Sequence, residues 1–261
     1  ATRQNLEKIK SSIADWPTPV LNNPDQIAGL DRDQLFKNFN GQGSIAIPAT
    51  IRCDRQTLTL AASGHSTSID ELDRANWPLV IRPVGSHAGL NLEKLSGPAD
   101  LQNYLSACKD SDFFVSEFID YRSADGQFRK YRIVFVDGHP FPCHMAIADK
   151  WKIWYLNADM QQSPAKRAEE EEFMANFSNG FALRNKTALS VIPQEIDLDY
   201  FGIDCAELPD GRMVVFEADN ALIVHDMDPP QLFPYKLEHM QDIFSAFQQL
   251  IYAKAGRNSA P

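Results

Sequence analysis

The sequence predicts an α+β fold with mainly antiparallel sheets. Predicted strands outnumber the helices that could connect them as crossovers. Two Asp-Gly pairs, Asp137-Gly138 and Asp210-Gly211, also stand between apolar runs, and Asp-Gly is a pair that tight hairpin turns prefer. Because such turns join antiparallel neighbours, they favour antiparallel pairing over a doubly wound parallel sheet.

Composition limits the class of protein. With 261 residues, 44% of them hydrophobic, the chain suits one large domain or two smaller lobes. The net charge of −10, with no Lys- and Arg-rich stretch, argues against a nucleic-acid partner. No run approaches the ~20 apolar residues that span a bilayer, and the N-terminus lacks the apolar core of a signal peptide, so no membrane association is predicted.

The four cysteines lie far apart and form no CxxC pair. This spacing argues against a zinc site and against a disulfide framework, and it favours a reducing, cytoplasmic setting. The sequence begins without Met, so we expect upstream domains of a longer chain. The oligomeric state is left open.

In the first half of the chain, β-branched and apolar runs between turn residues predict strands, and capping residues predict helix starts. In order, the sequence predicts helices at 4–14 and 31–38, strands at 44–53 and 57–62, a helix opened by a Ser68–Glu71 capping box, and a strand at 77–84.

The second half continues with a helix from Pro98 to about Cys108 and strands at 112–119, 130–136 and 140–148. A helix capped by Ser163 follows, with Phe173, Met174 and Phe177 as its buried stripe and Glu169–Glu172 as a solvated face. A long C-terminal helix would bury residues that recur at helical spacing, namely Leu237, Met240, Phe244, Phe247 and Ile251.

The segment GIDCAELPDGRMVVFEADN, residues 202–220, predicts a hairpin that carries acidic residues on one face. A two-residue turn at Asp210-Gly211 places Asp204 opposite Glu217, and alternation adds Asp219 to that face. Opposed like charges destabilise a sheet, and buried carboxylates are costly without compensation. A bound divalent cation would compensate them; alternatively, this end of the hairpin projects into water.

A glycine-bearing loop, RPVGSHAG, follows the strand at 77–84. Gly85 and Gly89 allow backbone N–H groups to converge on an anion, and Ser86 adds a hydroxyl donor. Arg82 supplies a positive charge beside the loop. The loop therefore predicts a phosphate site, although it matches neither a Walker A loop nor a dinucleotide fingerprint.

The order of these segments over about 44–228 resembles the ATP-grasp superfamily, and within it the RimK-type and glutathione-synthetase-like carboxylate–amine ligases. The matching segments are IRPVGSHAG, VSEFID, GIDCAELPDG and VFEADN. The resemblance implies two α+β lobes that clasp a nucleotide. Residues 1–43 would be the remnant of a preceding substrate-side domain and a linker, 44–110 the small lobe, and 111–261 the large lobe with the C-terminal helix.

The resemblance also implies roles for particular residues. Arg82 would bind the α- and β-phosphates and Arg132 the transferring group, so both would be catalytic. Mg²⁺ would be held by Asp204, Glu217 and Asp219, with Glu217 bridging two ions. The residues that would bind ATP are Arg82, Gly85, Ser86, His87, Gly89, Glu117, Phe118, Asp120 and Asn157.

This chain departs from the family pattern at three positions. Arg82 stands where the family has Lys, and Asp219 where it favours Asn. Lys130 stands where RimK-type enzymes have an Asp that contacts the ribose. The ordinary structural alternatives are a cross-strand ion pair for Arg132 and structural roles for His144 and His225.

The implied function is ATP- and Mg²⁺-dependent joining of a small-molecule or peptide carboxylate to an amine through an acyl phosphate. The alternatives are a catalytically weak nucleotide-binding module of a larger polypeptide, an ATP-grasp phosphotransferase, and a hairpin that a metal ion merely stabilises. The sequence does not identify the acid or the amine.

Overall fold

The computed structural model describes residues 3–65, 77–87 and 89–256. Its helices are α1 Arg3–Ile13, α2 Pro24–Ala28, α3 Arg32–Phe39, α4 Arg55–Ala62, α5 Pro98–Ala107, α6 Pro164–Ala175, α7 Phe181–Arg184, α8 Lys186–Ile196 and α9 Lys236–Lys254, together with a 3₁₀ turn at Tyr155–Asn157.

The strands are β1 Ile45–Ala46, β2 Thr50–Asp54, β3 Leu79–Pro83, β4 Glu93–Leu95, β5 Asp112–Glu117, β6 Phe128–Val136, β7 His139–Ala148, β8 Tyr200–Glu207 and β9 Met213–Asp219. All the strand pairs are antiparallel except β1 with β9. The predicted α+β class with mainly antiparallel sheets is confirmed.

The chain divides into two compact units. The larger unit consists of Ala1–Asp31, Gly41–Ala46 and Tyr121–Pro261, and the smaller unit of Arg32–Asn40 and Ile47–Asp120. Strand β5 belongs to the smaller unit because it pairs with β2 and β3 of the smaller sheet. The predicted division into 1–43, 44–110 and 111–261 stays a prediction.

The sheet of the larger unit has the strand order β1-β9-β8-β6-β7. The Asp137-Gly138 turn joins β6 to β7 with positive φ at both residues, as the prediction requires. On one face, Val134 and Val136 pack with Met240 and Ile243 of α9. This packing covers one end of the face with apolar side chains.

The sheet of the smaller unit has the order β2-β5-β3-β4. One of its faces packs with α4 and α5 in a cluster that includes Leu58, Ile81, Leu101 and Phe113. Alternation along β3 then points Arg82 to the other face of this sheet.

Residues 57–62 are wrongly predicted as a strand, because they belong to α4. The carboxylate of Asp54 caps this helix by accepting a hydrogen bond from the N–H of Thr57 at 2.7 Å. The cap and the local helix override the alternating Thr and Leu pattern. The predicted strand at 44–53 is divided into β1 and β2, which belong to different units. The Ser68–Glu71 capping box lies outside the described residues.

The solvated face predicted for Glu169–Glu172 is wrong at Glu170, whose side chain is fully buried. Ser163 caps α6 as predicted, and Met174 and Phe177 are buried. Glu170 faces inward because α6 lies along β7, where its carboxylate accepts the N–H of Met145 at 3.0 Å.

The stripe predicted for the C-terminal helix is only partly right. Met240 is buried, and Phe247 packs on the same cluster, but Leu237, Phe244 and Ile251 are exposed. The buried face is rotated toward Lys236, Met240, Ile243 and Leu250. All four cysteines are buried and unpaired. In the part of the chain that the structure describes, helices fall short of the length and apolarity that crossing a membrane requires.

Candidate functional site

Four ionisable side chains form a row across the sheet of the larger unit. His144 on β7 is the partner of Arg132 on β6, Arg132 is the partner of Asp204 on β8, and Asp204 is the partner of Glu217 on β9. Directly opposed residues share one face of a sheet, and neighbouring strands lie about 4.8 Å apart. We call His144, Arg132, Asp204 and Glu217 the polar row.

Two β-bulges adjoin the polar row. Between β6 and β7 the register shifts after Arg132, which leaves Cys143 as the extra residue. Between β8 and β9 it shifts after Asp204, which leaves Phe216 as the extra residue. Bulges bend a strand and redirect its side chains, and they are common beside functional sites.

The predicted pair of Asp204 with Glu217 is confirmed, but the predicted two-residue turn is wrong. Near the turn Glu207 pairs with Met213, and only Gly211, not Asp210, has a positive φ, whereas a type I′ turn needs both. The bulge at Phe216 restores the expected pairing farther along the hairpin.

Asp204 binds two cationic side chains of β6. Its Oδ1 accepts a hydrogen bond from Nε of Arg132 at 2.8 Å, and its Oδ2 accepts from Nζ of Lys130 at 2.8 Å and from Nη2 of Arg132 at 3.2 Å. Although the burial of Asp204 favours the neutral acid, the two cations hold its pKa below the usual range. Asp204 in turn raises the pKa of Arg132 against the effect of burial. The site therefore carries a fixed, charged cluster.

The acidic residues of β9 offer the best fit to a magnesium ion. Glu217 and Asp219 lie two residues apart on one face and are both partly buried. Within the described residues, no group of three or more His, Cys, Asp or Glu side chains is gathered closely enough to hold a metal. Mg²⁺ often needs only one or two protein carboxylates besides phosphate oxygens and water. Glu217 and Asp219 would supply two such carboxylates. Both oxygens of Asp204 accept hydrogen bonds from cations, and the roles of all three residues as ligands stay predictions.

Tyr155 and Asn157 lie in the 3₁₀ turn after β7. The Asn157 side-chain oxygen accepts the N–H of Trp154 at 3.1 Å, and this contact fixes the turn. The Tyr155 ring lies against His144, with 4.6 Å between ring centroids. The turn therefore contacts the polar row through Tyr155, and the predicted contact of Asn157 with ATP stays a prediction.

A buried polar cluster lies behind Tyr155. The Glu170 carboxylate accepts hydrogen bonds from the hydroxyls of Tyr155 and Tyr235, and Lys236 Nζ lies 3.3 Å from Glu170 Oε1. Lys236 also donates to Asp228 at 3.1 Å and to the Tyr155 hydroxyl. Burial raises the pKa of Glu170, and Lys236 opposes this change. The cluster ties α6, the 3₁₀ turn and the start of α9 together.

In the smaller unit, Arg82 contacts its own glycine-bearing loop. Its Nε donates to Ser86 Oγ at 3.1 Å, and its Nη2 donates to the Ser86 carbonyl. Gly85 and Gly89 both have positive φ, which glycine permits. The Ser86 N–H donates to the carbonyl of Pro83 within the loop at 3.2 Å. The phosphate roles of Arg82, Gly85, Ser86, His87 and Gly89 remain predictions.

The face of the smaller sheet that carries Arg82 is basic. Arg52 and Arg82 both oppose Phe114, from β2 and β3, and Lys94 on β4 opposes Val80. The Arg52 guanidinium lies 5.3 Å from the Phe114 ring centroid. Three cations therefore share one face, which suits an anionic ligand.

The predicted adenine segment lies at the end of the smaller unit. The N–H of Glu117 donates to Ala49 at 2.9 Å, and that of Phe118 donates to Pro78 at 3.4 Å. Lys94 Nζ lies 4.2 Å from the Phe118 ring centroid. Asp120 is exposed and is the last residue of the unit. Roles for Glu117, Phe118 and Asp120 in ATP binding stay predictions.

Sequence reasoning assigned no functional role to three features of the structure, namely Lys130, Lys94 and the cluster around Lys236. Alternation from Arg132 already places Lys130 on the same face. Lys94 had no such signal because the short strand β4 was not predicted. Glu170 and Lys236 are 66 residues apart in the chain and meet only through tertiary packing.

No protein-family model matches the chain, and no curated protein matches it. Among solved structures, D-alanine–D-alanine ligase from Bacillus anthracis complexed with ATP has a TM-score of 0.57 at 15% identity, over 97% of this chain and 76% of that one. D-alanine–D-alanine ligase from Coxiella burnetii has a TM-score of 0.51 at 11% identity, over 95% and 68%.

A RimK domain ATP-grasp protein from Sphaerobacter thermophilus has a TM-score of 0.50 at 15% identity, over 94% of this chain and 78% of that one. These similarities extend over nearly the whole chain, well beyond the short motifs that suggested the relationship. At sequence identities this low, the structural similarity shows the fold alone. The chain has the ATP-grasp fold.

Proposed function

We propose that this protein is an ATP- and Mg²⁺-dependent ligase that joins a carboxylate to an amine. The observation that carries the proposal is the polar row, in which Arg132 is fixed by Asp204 next to the acidic pair of β9. The ATP-grasp fold and its similarity to ligase structures support the same reaction class.

Arg132 is suited to bind the transferring phosphoryl group. A guanidinium has five N–H donors in a planar fork, and Asp204 accepts from only its Nε and Nη2. Nη1 makes no hydrogen bond to a protein group in the described part of the chain. Since Asp204 fixes the plane of the guanidinium, the remaining donors can stabilise charge that develops on phosphate oxygens without further ordering.

Glu217 and Asp219 would hold Mg²⁺, which would neutralise charge on the β- and γ-phosphate oxygens. Lys130 adds a second cation at the row, since within the described residues its ammonium group donates one hydrogen bond, to Asp204. In the smaller unit, Arg82 and the loop of Gly85, Ser86, His87 and Gly89 would bind the other phosphates.

In the proposed reaction, a carboxylate oxygen of the acid attacks the γ-phosphorus and ADP leaves, so that an acyl phosphate forms. The nitrogen of the amine then attacks the acyl carbon, phosphate leaves and an amide forms. Neither step needs a covalent bond to the protein. Catalysis would come from positioning and from charge stabilisation by groups such as Arg132.

Thermal unfolding with ATP plus Mg²⁺, compared with ATP plus EDTA, tests the proposal. A ligand at 100 times its Kd adds about 2.7 kcal/mol of stability, so we expect a clear upward shift with Mg²⁺. Glu217→Gln should lose the Mg²⁺-dependent part of the shift. Glu171→Gln, an exposed change on α6, should retain it. An equal shift in Glu217→Gln and the wild type would contradict the metal assignment.

Product analysis separates the possible activities. The protein is incubated with ATP, Mg²⁺ and a panel of amino acids and short peptides, and the mixtures are analysed for ADP, phosphate and new amides. Equal amounts of all three support a ligase. A phosphorylated product without an amide indicates a phosphotransferase. Binding of ATP without formation of ADP indicates a nucleotide-binding module.

A further inference from the structure

His144 ends the polar row on the side away from the carboxylates of β9. It is the direct partner of Arg132, and the extra residue Cys143 adjoins it at the bulge. The ring of His144 therefore lies on the same face of the sheet as the guanidinium of Arg132, one strand away. Any group bound by the outer donors of Arg132 would be close to this ring.

The ring nitrogens of His144 are available to a ligand. In the residues that the structure describes, no hydrogen bond joins a protein group to this ring. The His144 residue is only partly buried. By contrast, Arg132 and Asp204 in the row bind each other.

The ring of His144 is held by the cluster behind it. The Tyr155 ring lies against it at an interplanar angle of 42°. The Tyr155 hydroxyl is fixed by Glu170 at 3.1 Å and by Lys236, and Lys236 is fixed by Asp228 at 3.1 Å. A side chain held by packing and open at its polar atoms is preorganised for binding.

The surroundings of His144 favour the uncharged imidazole. Burial and the nearby cations Arg132, Lys236 and Lys130 lower the pKa of His144, and Asp204 only partly opposes them. A neutral imidazole carries one N–H donor and one acceptor. It can therefore donate a hydrogen bond to a phosphate oxygen without adding another positive charge to the row.

We propose that His144 is a further substrate-binding residue of this site, which donates a hydrogen bond to the terminal phosphoryl group of ATP beside Arg132. The inference rests on the proposed function, since it requires that ATP bind at the polar row. It gives His144 a direct contact with the group that is transferred. Tyr155 acts as the positioning residue for the ring.

Side-chain NMR of the full chain labelled with ¹⁵N-histidine tests this contact. The chain has six histidines, and the signals of His144 are assigned by their loss in His144→Gln. The probes are ADP–Mg²⁺ and the non-hydrolysable analogue AMP-PNP–Mg²⁺. We expect AMP-PNP to shift the ring signals of His144 and ADP to shift them much less. His139, exposed at the β6–β7 turn, should not respond.

Affinity measurements by calorimetry complement the spectra. Loss of one hydrogen bond to a charged phosphate oxygen corresponds to about a 10- to 100-fold change in affinity. We expect His144→Phe to weaken AMP-PNP–Mg²⁺ by that factor and to leave ADP–Mg²⁺ unchanged. His144→Gln, which retains an N–H donor, should recover part of the loss, and His139→Gln should match the wild type. A purely structural role would weaken both nucleotides together and lower the melting temperature.

The possible failures are distinguishable. If the wild type binds AMP-PNP but the His144 signals do not move, or move equally with ADP, the inference is wrong and the proposed function stands. If the wild type binds no nucleotide with Mg²⁺, the proposed function fails and the inference fails with it.

Discussion

Lys236 and Glu170 form an ion pair inside the larger unit, with 3.3 Å between Nζ and Oε1 and with 6% and 0% of their side chains exposed. Breaking a buried pair by removing one partner leaves an uncompensated charge, which typically costs about 3–5 kcal/mol. We therefore expect Lys236→Met and Glu170→Gln each to lower the free energy of unfolding by about 3 kcal/mol.

A double-mutant cycle, with each free energy of unfolding measured in urea, gives the coupling energy of this pair. The double variant should lose less than the sum of the single losses, by at least about 1 kcal/mol, because the partners are in contact. The pair Lys254–Asp199 is a suitable control, since Lys254 is 46% exposed. Its cycle should give a coupling below about 1 kcal/mol. Additive losses at Lys236 and Glu170 would contradict the pairing.

Asp204 makes stability depend on pH in a predictable direction. Its folded pKa lies below the unfolded value of about 3.9. The stabilisation is therefore fully present above about pH 5 and is lost as the pH falls below about 4. We expect Asp204→Asn to have a lower melting temperature than the wild type at pH 7, and the difference between the two to shrink toward pH 3. Melting curves at several pH values measure this difference. A difference that stays constant down to pH 3 would refute the assignment.

Gly202 is required by a close approach to Leu222. A Cβ at position 202 would meet Leu222 Cδ1 at 2.6 Å, so a side chain must shift. We expect Gly202→Ala to cost about 1–3 kcal/mol in urea unfolding, as for other overpacked cores. Gly43→Ala has open space around the new atom and should change stability by less than about 0.5 kcal/mol.

The same experiment in a Leu222→Ala background identifies the cause. Removing the obstructing side chain should relieve most of the cost of Gly202→Ala, because the two sites share one contact. If Gly202→Ala costs as much in that background as in the wild type, the steric explanation is incorrect.

The most useful prediction from the sequence concerns the acidic hairpin. Alternation and the Asp-Gly turn predict the pair of Asp204 with Glu217, which the structure contains. The pairing arises differently from the prediction. The turn is longer than two residues, which shifts the register by one, and the extra residue Phe216 at the bulge shifts it back. Local patterns determine which residues can share a face of the sheet, but they do not reveal at which position a β-bulge adds an extra residue.

Other features depend on contacts that a linear pattern does not contain. The run of glutamates around Glu170 looks solvated because four charged residues stand in a row. The partners of Glu170, namely Met145, Tyr235 and Lys236, come from distant segments. Residues 57–62 alternate like a strand, yet the cap at Asp54 starts a helix there. Tertiary packing and capping therefore decide these elements.

If the polar row binds the phosphates of ATP, as we propose, removal of the Arg132 guanidinium should weaken that binding. Hydrogen bonds to charged groups are worth about 1.5–3 kcal/mol, so Arg132→Gln should weaken Mg²⁺–ATP by at least tenfold. Arg184→Gln removes a 60%-exposed arginine of the same unit that binds Glu207 and should bind like the wild type. Circular dichroism checks that both variants are folded.

Isothermal titration calorimetry of Mg²⁺–ATP against the wild type, Arg132→Gln and Arg184→Gln is the decisive measurement. We expect a selective loss of affinity in Arg132→Gln. Equal affinities in all three folded proteins would contradict binding of the ATP phosphates by the polar row.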